Sequence, residues 1–289
     1  MAPDWRSGAA AFVCASGLLG CGGGSGGNAG GAGVHVESLF QEAGPASVIQ
    51  TASKDAAGMQ YTLYYPSTMT SDGFLNPLIA YGNGTFAVCT SGLSEAFGRH
   101  LASWGFVVVC PNNSHTGLGT EVMQAVRFMV AESSRVGSDF NGQLDTGSIG
   151  AAGHSQGATG ALNANSQSGG LIRSTVALAF VDPAQHGQDQ PRLRDVTGPV
   201  FLLSGCADPL TLFQDRYFDE LTTPTAKACR SGAAHGPMFR PSLAYTVAWF
   251  NYTLRGDAAA RNAFVSPGAT EPEIATNPSW EGWRSKKLP

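Results

Sequence analysis

Ile149-Gly150-Ala151-Ala152-Gly153-His154-Ser155-Gln156-Gly157-Ala158 is the stretch on which the fold turns. A short apolar run ends near Ala152, a G-x-S-x-G follows, and a Gly/Ala-rich helical stretch opens at Ala158. A serine on a sharp strand-to-helix turn sits in strained backbone with its neighbours crowded against it, so positions two before and two after must be small. Gly153 and Gly157 meet that demand. The helix that begins there turns free N–H groups towards an anion, so the Gln156 N–H is expected to donate to a developing oxyanion. Ser155 is the candidate nucleophile.

Outward from this turn, short apolar runs alternate with helical patterns, the sequence form of βα units and of a mostly parallel central sheet with helices on both faces. Tyr61 to Tyr65 alternates as an early strand. Pro77 to Tyr81 and Phe106 to Cys110 are continuous apolar runs, expected of strands covered on both faces. Leu93, Phe97 and Leu101 recur at helical spacing, which predicts a crossover helix over about residues 91 to 102. Val122, Val126, Met129 and Val130 mark a second helix. Ile149 to Gly153, Thr175 to Phe180 and Val200 to Leu203 read as further strands, the last of these being the final clear one. Leu210 to Leu221 and Leu243 to Leu254 read as helices. The class is α/β, with one domain over residues 45 to 265. A tail over residues 266 to 289 keeps Trp280 and Trp283, so it is expected to pack on the domain surface.

Of the 289 residues, 43% are apolar and 13% charged, enough to bury a large core and too little charge for a disordered chain. With a net charge of -4 and no basic run interleaved with aromatics, nucleic acid is excluded as the main partner. At the N-terminus a short apolar stretch, Ala9 to Leu19, has the size of a signal-peptide core, and Leu18-Leu19-Gly20-Cys21 resembles a lipobox. Residues 1 to 21 are therefore read as a leader with Cys21 as the lipidated residue. Residues 22 to 44, which include a glycine run to Gly33, are read as a flexible tether. The expected protein is an exported monomer, secreted, periplasmic or on a bacterial cell surface, meeting a membrane only through the lipid.

In folds with this turn the chain order is serine, then acid, then histidine. Asp208 follows the Val200 strand in Gly205-Cys206-Ala207-Asp208-Pro209, where an acid is expected; Asp182, after the preceding strand, is its rival. His235, in a glycine-rich loop before the last helix, is the expected base. Chain order sets aside His35, His100, His115 and His154, and it sets aside His186 unless Asp182 is the acid. The loop Tyr81-Gly82-Asn83-Gly84-Thr85-Phe86 should supply the second oxyanion donor, the N–H of Thr85, with Phe86 as the near alternative. Phe86, His115 and His154 are expected to line the substrate cleft. With Cys14 and Cys21 set aside, Cys89, Cys110, Cys206 and Cys229 allow three pairings. No CxxC pair or histidine cluster accompanies them, and neither a metal nor a cofactor is expected.

His100 to Val109, Gly153 to Gly157, and Gly198 to Gly205 with Asp208 together resemble the bacterial cutinase and polyester-hydrolase branch of the α/β hydrolases, PET hydrolases included, related to chlorophyllase-like esterases. The resemblance covers roughly residues 45 to 265. It implies the α/β-hydrolase fold, Ser155, Asp208 and His235 as triad, Gln156 as the oxyanion residue after the nucleophile, and Thr85 where the family has an aromatic. It also implies a Cys206 to Cys229 bridge between the acid and histidine loops, and with it Cys89 paired to Cys110. Gln156 stands where polyester hydrolases usually have Met, and no Trp occurs between Trp104 and Trp249. The substrate-gripping Trp expected near residues 181 to 187 is therefore missing. The expectation is a serine esterase for short or medium acyl esters and aliphatic polyesters, weak on poly(ethylene terephthalate). Thioesterase, amidase or acyltransferase chemistry would use the same residues, and a silent surface binding protein on this scaffold is the alternative from another class.

Overall fold

Consecutive residues of the central strands enter different cores, as a sheet covered on both faces requires. The computed structural model describes residues 35–69, 75–90, 92–182, 192–266 and 268–289. Its strands are β1 (Val48–Lys54), β2 (Gln60–Pro66), β3 (Asn76–Gly82), β4 (Val107–Pro111), β5 (Leu144–His154), β6 (Ser174–Leu178), β7 (Val200–Gly205), β8 (Thr225–Arg230) and β9 (Trp280–Lys286). They form one sheet in the order β1-β2-β4-β3-β5-β6-β7-β8-β9. From β4 to β8 every pairing is parallel, while β1 with β2, β2 with β4 and β8 with β9 pair antiparallel.

The helices are α1 (Val36–Gln41), α2 (Gly92–Ser103), α3 (Thr120–Ser134), α4 (Gln156–Gln167), α5 (Leu212–Glu220), α6 (Phe239–Arg255), α7 (Ala258–Arg261) and α8 (Glu273–Thr276). Ile79, Tyr81, Val108, Phe201 and Leu203 pack under α2 and α6, where Phe97, Leu101, Trp249 and Phe250 cover them. Their neighbours Leu78, Ala80, Val107 and Val109 pack under α3 with Val122, Val126 and Met129. Val200 and Leu202 meet Leu162 of α4 and Tyr217 and Phe218 of α5 on that same second face. The period-two alternation within continuous apolar runs thus feeds two opposite layers.

Several elements depart from the sequence expectation. β8 was not anticipated because its run, Thr225-Ala226-Lys227-Ala228, is short and broken by a lysine. Lys227 is nonetheless buried, and its Nζ lies 2.7 Å from the Asp215 carboxylate on α5. β1 escaped because an edge strand with half-exposed polar residues gives a weak pattern. Residues 36 to 41, assigned to the tether, form a helix instead, with Val36 and Phe40 in the core. Glu37 explains the anchoring: its Oε1 accepts from Trp280 Nε1 at 2.9 Å and from Arg230 Nη1 at 2.9 Å. The C-terminal tail is part of the sheet, since Trp280–Lys286 adds β9 along β8. The leader, Cys21 and the glycine run to Gly33 lie outside the described residues, as do His186 and residues 183 to 187 of the stretch where a Trp was sought. No helix among the described residues is long and apolar enough to cross a membrane. The loops that leave the C-terminal ends of the parallel strands share one edge of the sheet, the edge where open α/β sheets bind ligands.

Candidate active site

Ser155 sits between β5 and α4 with φ 58° and ψ -128°, a conformation that a non-glycine residue adopts only under strain of about 1–3 kcal/mol. Packing imposes it. The Ser155 N–H donates to the Leu178 carbonyl of β6 at 2.9 Å, and α4 starts at the very next residue. A Cβ on Gly153 would stand 2.1 Å from the Gly157 carbonyl oxygen, and one on Gly157 would stand 2.1 Å from the Gly82 carbonyl oxygen. The turn therefore closes only on glycine, and it closes against the loop after β3. The first-turn N–H groups of α4 are left to face whatever approaches Ser155.

On the β7 and β8 side, His235 Nδ1 lies 2.7 Å from Asp208 Oδ2. A carboxylate only accepts, so Nδ1 carries the proton and Nε2 is left with a lone pair. Asp208 is buried, and its Oδ1 accepts a second bond from the Leu210 N–H at 3.0 Å. Their two loops are fastened together by main-chain bonds from Cys206 N to Arg230 O and from Ala207 N to Ala233 O, both 2.9 Å. The Cys206–Cys229 disulfide closes the same junction. Asp182, the rival acid, is buried in the loop after β6, and it is Asp208 that His235 contacts.

On the β3 and β4 side, Gly84 brings the loop to the nucleophile: its Cβ position would be 3.5 Å from the Ser155 Cβ. Thr85 follows it, and Phe86 then takes φ 62° and is 85% exposed. Behind this loop stands Asn83, which the sequence reading did not single out. Its side chain is fully buried; Nδ2 donates to Pro111 O at 2.8 Å and Asn113 O at 3.1 Å, and Oδ1 accepts from Ser94 Oγ at 2.7 Å. The Asn83 carbonyl accepts from Thr116 Oγ1 at 3.0 Å. The Cys89–Cys110 disulfide packs beside this amide, with Cys89 Sγ 3.2 Å from Nδ2. A polar asparagine between two glycines was the one available signal, in a loop read only for its oxyanion donor.

Other expected cleft residues divide. His115 is exposed beside Phe86, the two rings edge to face at 6.5 Å, with Ser114 Oγ 3.1 Å from its Nδ1. His154 was expected to line the cleft, yet it is 7% exposed, its Nε2 lies 3.2 Å from the His235 carbonyl, and burial pushes its imidazole pKa down to about 4. Gln156 likewise turns inward: it is buried and its Nε2 donates to Ser114 O at 2.5 Å, so its amide braces the His115 loop. His100, with Nε2 2.8 Å from Phe40 O, ties α2 to the last turn of α1. His35 is exposed at the start of α1. Among the described residues no three His, Cys, Asp or Glu side chains gather as a metal site.

A mostly parallel sheet in this strand order, with a strained serine between β5 and α4, is the α/β-hydrolase fold. The PET hydrolase-like family, PETase, matches residues 29–235, and the chain belongs to it, which makes it an ester hydrolase by family. It is also similar to a bis(hydroxyethyl) terephthalate hydrolase of Streptomyces coelicolor, 26% identical over 234 residues, covering 74% of this chain and 69% of that protein.

Proposed function

We propose that the protein is an exported serine esterase in which Ser155 attacks the ester carbonyl, His235 is the base and Asp208 orients it. The observation that carries this is the 2.7 Å bond from His235 Nδ1 to a buried Asp208 carboxylate, on loops packed against the strained Ser155 turn. His235 Nε2 takes the Ser155 proton as Oγ bonds to the carbonyl carbon, and the imidazolium is stabilised by Asp208. The oxyanion lies between the N–H groups of Gln156 and Thr85. Collapse expels the alcohol, protonated by His235. Water, deprotonated by the same imidazole, then releases the acid from the acyl-serine. The His235 side chain is 34% exposed, so water reaches it, which favours hydrolysis over acyl transfer.

Phe86 and His115 are the proposed walls of the substrate site, and Phe86 and Val88 after β3, Leu118 after β4 and Leu212 at the start of α5 are exposed apolar residues at this edge of the sheet. Such an edge suits uncharged esters. Without a Trp between Trp104 and Trp249, a flat platform worth about 1 kcal/mol for an aromatic ring is lacking. We therefore place short and medium acyl esters and aliphatic polyesters first, small terephthalate esters next and aromatic polymer last. Two disulfides suit an oxidising compartment, in keeping with export and a lipid on Cys21.

Initial rates on p-nitrophenyl butyrate, polycaprolactone film, bis(hydroxyethyl) terephthalate and poly(ethylene terephthalate) film, for the parent and Ser155→Ala, test both parts. Ser155→Ala is expected to lose at least about a thousandfold in turnover with an unchanged melting temperature. Retention of a tenth of the activity would sink the nucleophile assignment. Aromatic film degraded as fast as the aliphatic one would sink the substrate ranking alone.

A further inference from the structure

His154 stands between the two loops that must converge on the nucleophile, and no step above uses its side chain. Its Nε2 faces the His235 carbonyl at 3.2 Å. Carbonyls only accept, so Nε2 bears the proton and a neutral ring leaves Nδ1 as a bare acceptor. Neutrality is enforced by burial, which is the main cause holding the ring's pKa near 4. Nδ1 lies on the oxyanion-loop side, 3.5 Å from where a Gly84 Cβ would stand. The ring centroid is 4.9 Å from that of His235 and 5.5 Å, edge to face, from that of Phe239 at the start of α6. One side chain, in one tautomer, therefore spaces the base-bearing loop from the oxyanion loop.

Apart from the Asp208 bond to the imidazole of His235, the loop has little in its side chains to hold it. Gly232, Ala233, Ala234 and Gly236 surround the base, and Gly232 takes φ 65°. Main-chain bonds run from Ala207 N to Ala233 O, from Met238 N to Ala234 O and from Phe239 N to Gly236 O, and none of them reaches the His235 carbonyl. The bond from His154 ties the peptide of His235 itself. We infer that His154 is a positioning residue: its Nε2–H holds the His235 main chain so that the imidazole stays within reach of Ser155. This rests on the Ser155 and His235 reading given above. A misplacement of about 1 Å at a reacting centre costs on the order of a hundredfold, so a brace at this point governs turnover and not affinity.

The test uses the full chain with His154→Phe, which keeps a ring and loses the donor, and His154→Gln, whose Nε2 can donate to the same carbonyl. A fluorophosphonate probe, with the labelled peptide mapped by mass spectrometry, reports the nucleophile independently of turnover. Melting temperatures establish that the variants fold. For p-nitrophenyl butyrate, His154→Phe is expected to lose about ten- to a hundredfold in kcat with KM within about twofold. Its labelling rate should fall in parallel, and His154→Gln should recover most of the loss. A raised KM at unchanged kcat would make His154 a substrate contact and overturn the inference. So would a glutamine variant no better than phenylalanine, since ring volume and not the donor would then be what matters. Probe found elsewhere than on Ser155 in the parent protein would overturn the nucleophile assignment and the positioning role together.

Discussion

The two sides of the candidate site solve the same problem by different means. On the acid and base side, the loops after β7 and β8 are stitched by main-chain bonds and a partly exposed disulfide between Cys206 and Cys229. On the oxyanion side, the loop after β3 hangs from one buried amide, Asn83, beside a disulfide that lies wholly in the core. Their cross-links span similar lengths of chain, with sequence separations of 23 and 21. What differs is where the specificity of the fastening resides. Main-chain bonds survive most substitutions, whereas a side-chain hub fails with one.

The sharpest blow to the acid and base side is chemical. Asp208→Asn should lower kcat by about a thousand- to ten-thousandfold, because an amide no longer holds His235 in the tautomer with a free Nε2. Asp182→Asn should cost far less, and kinetics showing the opposite ranking would move the acid to Asp182. Asn83→Leu asks the corresponding question of the oxyanion side. It strands the carbonyls of Pro111 and Asn113, so about 3 kcal/mol of stability and at least about tenfold in kcat should go. Urea melts and steady-state rates read both, and a leucine variant with parent-like turnover would show that the loop does not depend on its hub.

The smallest effect concerns His154, which joins the two sides. Its folded pKa, about 4, lies below the ordinary 6.5, so the unfolded chain binds the proton more readily. The stability it favours is complete above pH 6.5 and is lost as the pH falls towards 4. Between pH 7 and 5 this amounts to about 2 kcal/mol. His100, also lowered chiefly by burial, acts in the same direction. Urea midpoints at the two pH values should therefore fall less in His154→Phe than in the parent, and an equal fall would place the acid sensitivity elsewhere.

The parts of this molecule that could be read from its letters are those where one residue type is forced. Gly153 and Gly157 announce the turn because nothing larger fits, and the apolar runs of β3, β4 and β7 announce a sheet covered on both faces. What escaped depends on partners far along the chain. Lys227 looks like a strand breaker until Asp215 meets it, and Glu37 looks like part of a tether until Trp280 and Arg230 close on it. Gln156 and His154 flank the serine and so invited a role towards substrate. Their amide and imidazole point instead at Ser114 and His235, carbonyls 42 and 81 residues away in sequence, which no local pattern encodes.

A methyl on Gly82 or on Gly153 would strike the Gly157 carbonyl, and one on Gly157 would strike the Gly82 carbonyl, so the three glycines depend on one another's lack of a side chain. In a saturation library scored for ester clearing, these three positions would go as silent as Ser155, though none of them touches an ester. A map of tolerated residues would then draw one patch around the turn and call all of it chemistry. Recording the soluble yield of each variant separates the two kinds of silence: a serine replacement leaves a folded, inactive protein, while an alanine at any of the three glycines pushes a methyl into main-chain carbonyls and takes the fold with it.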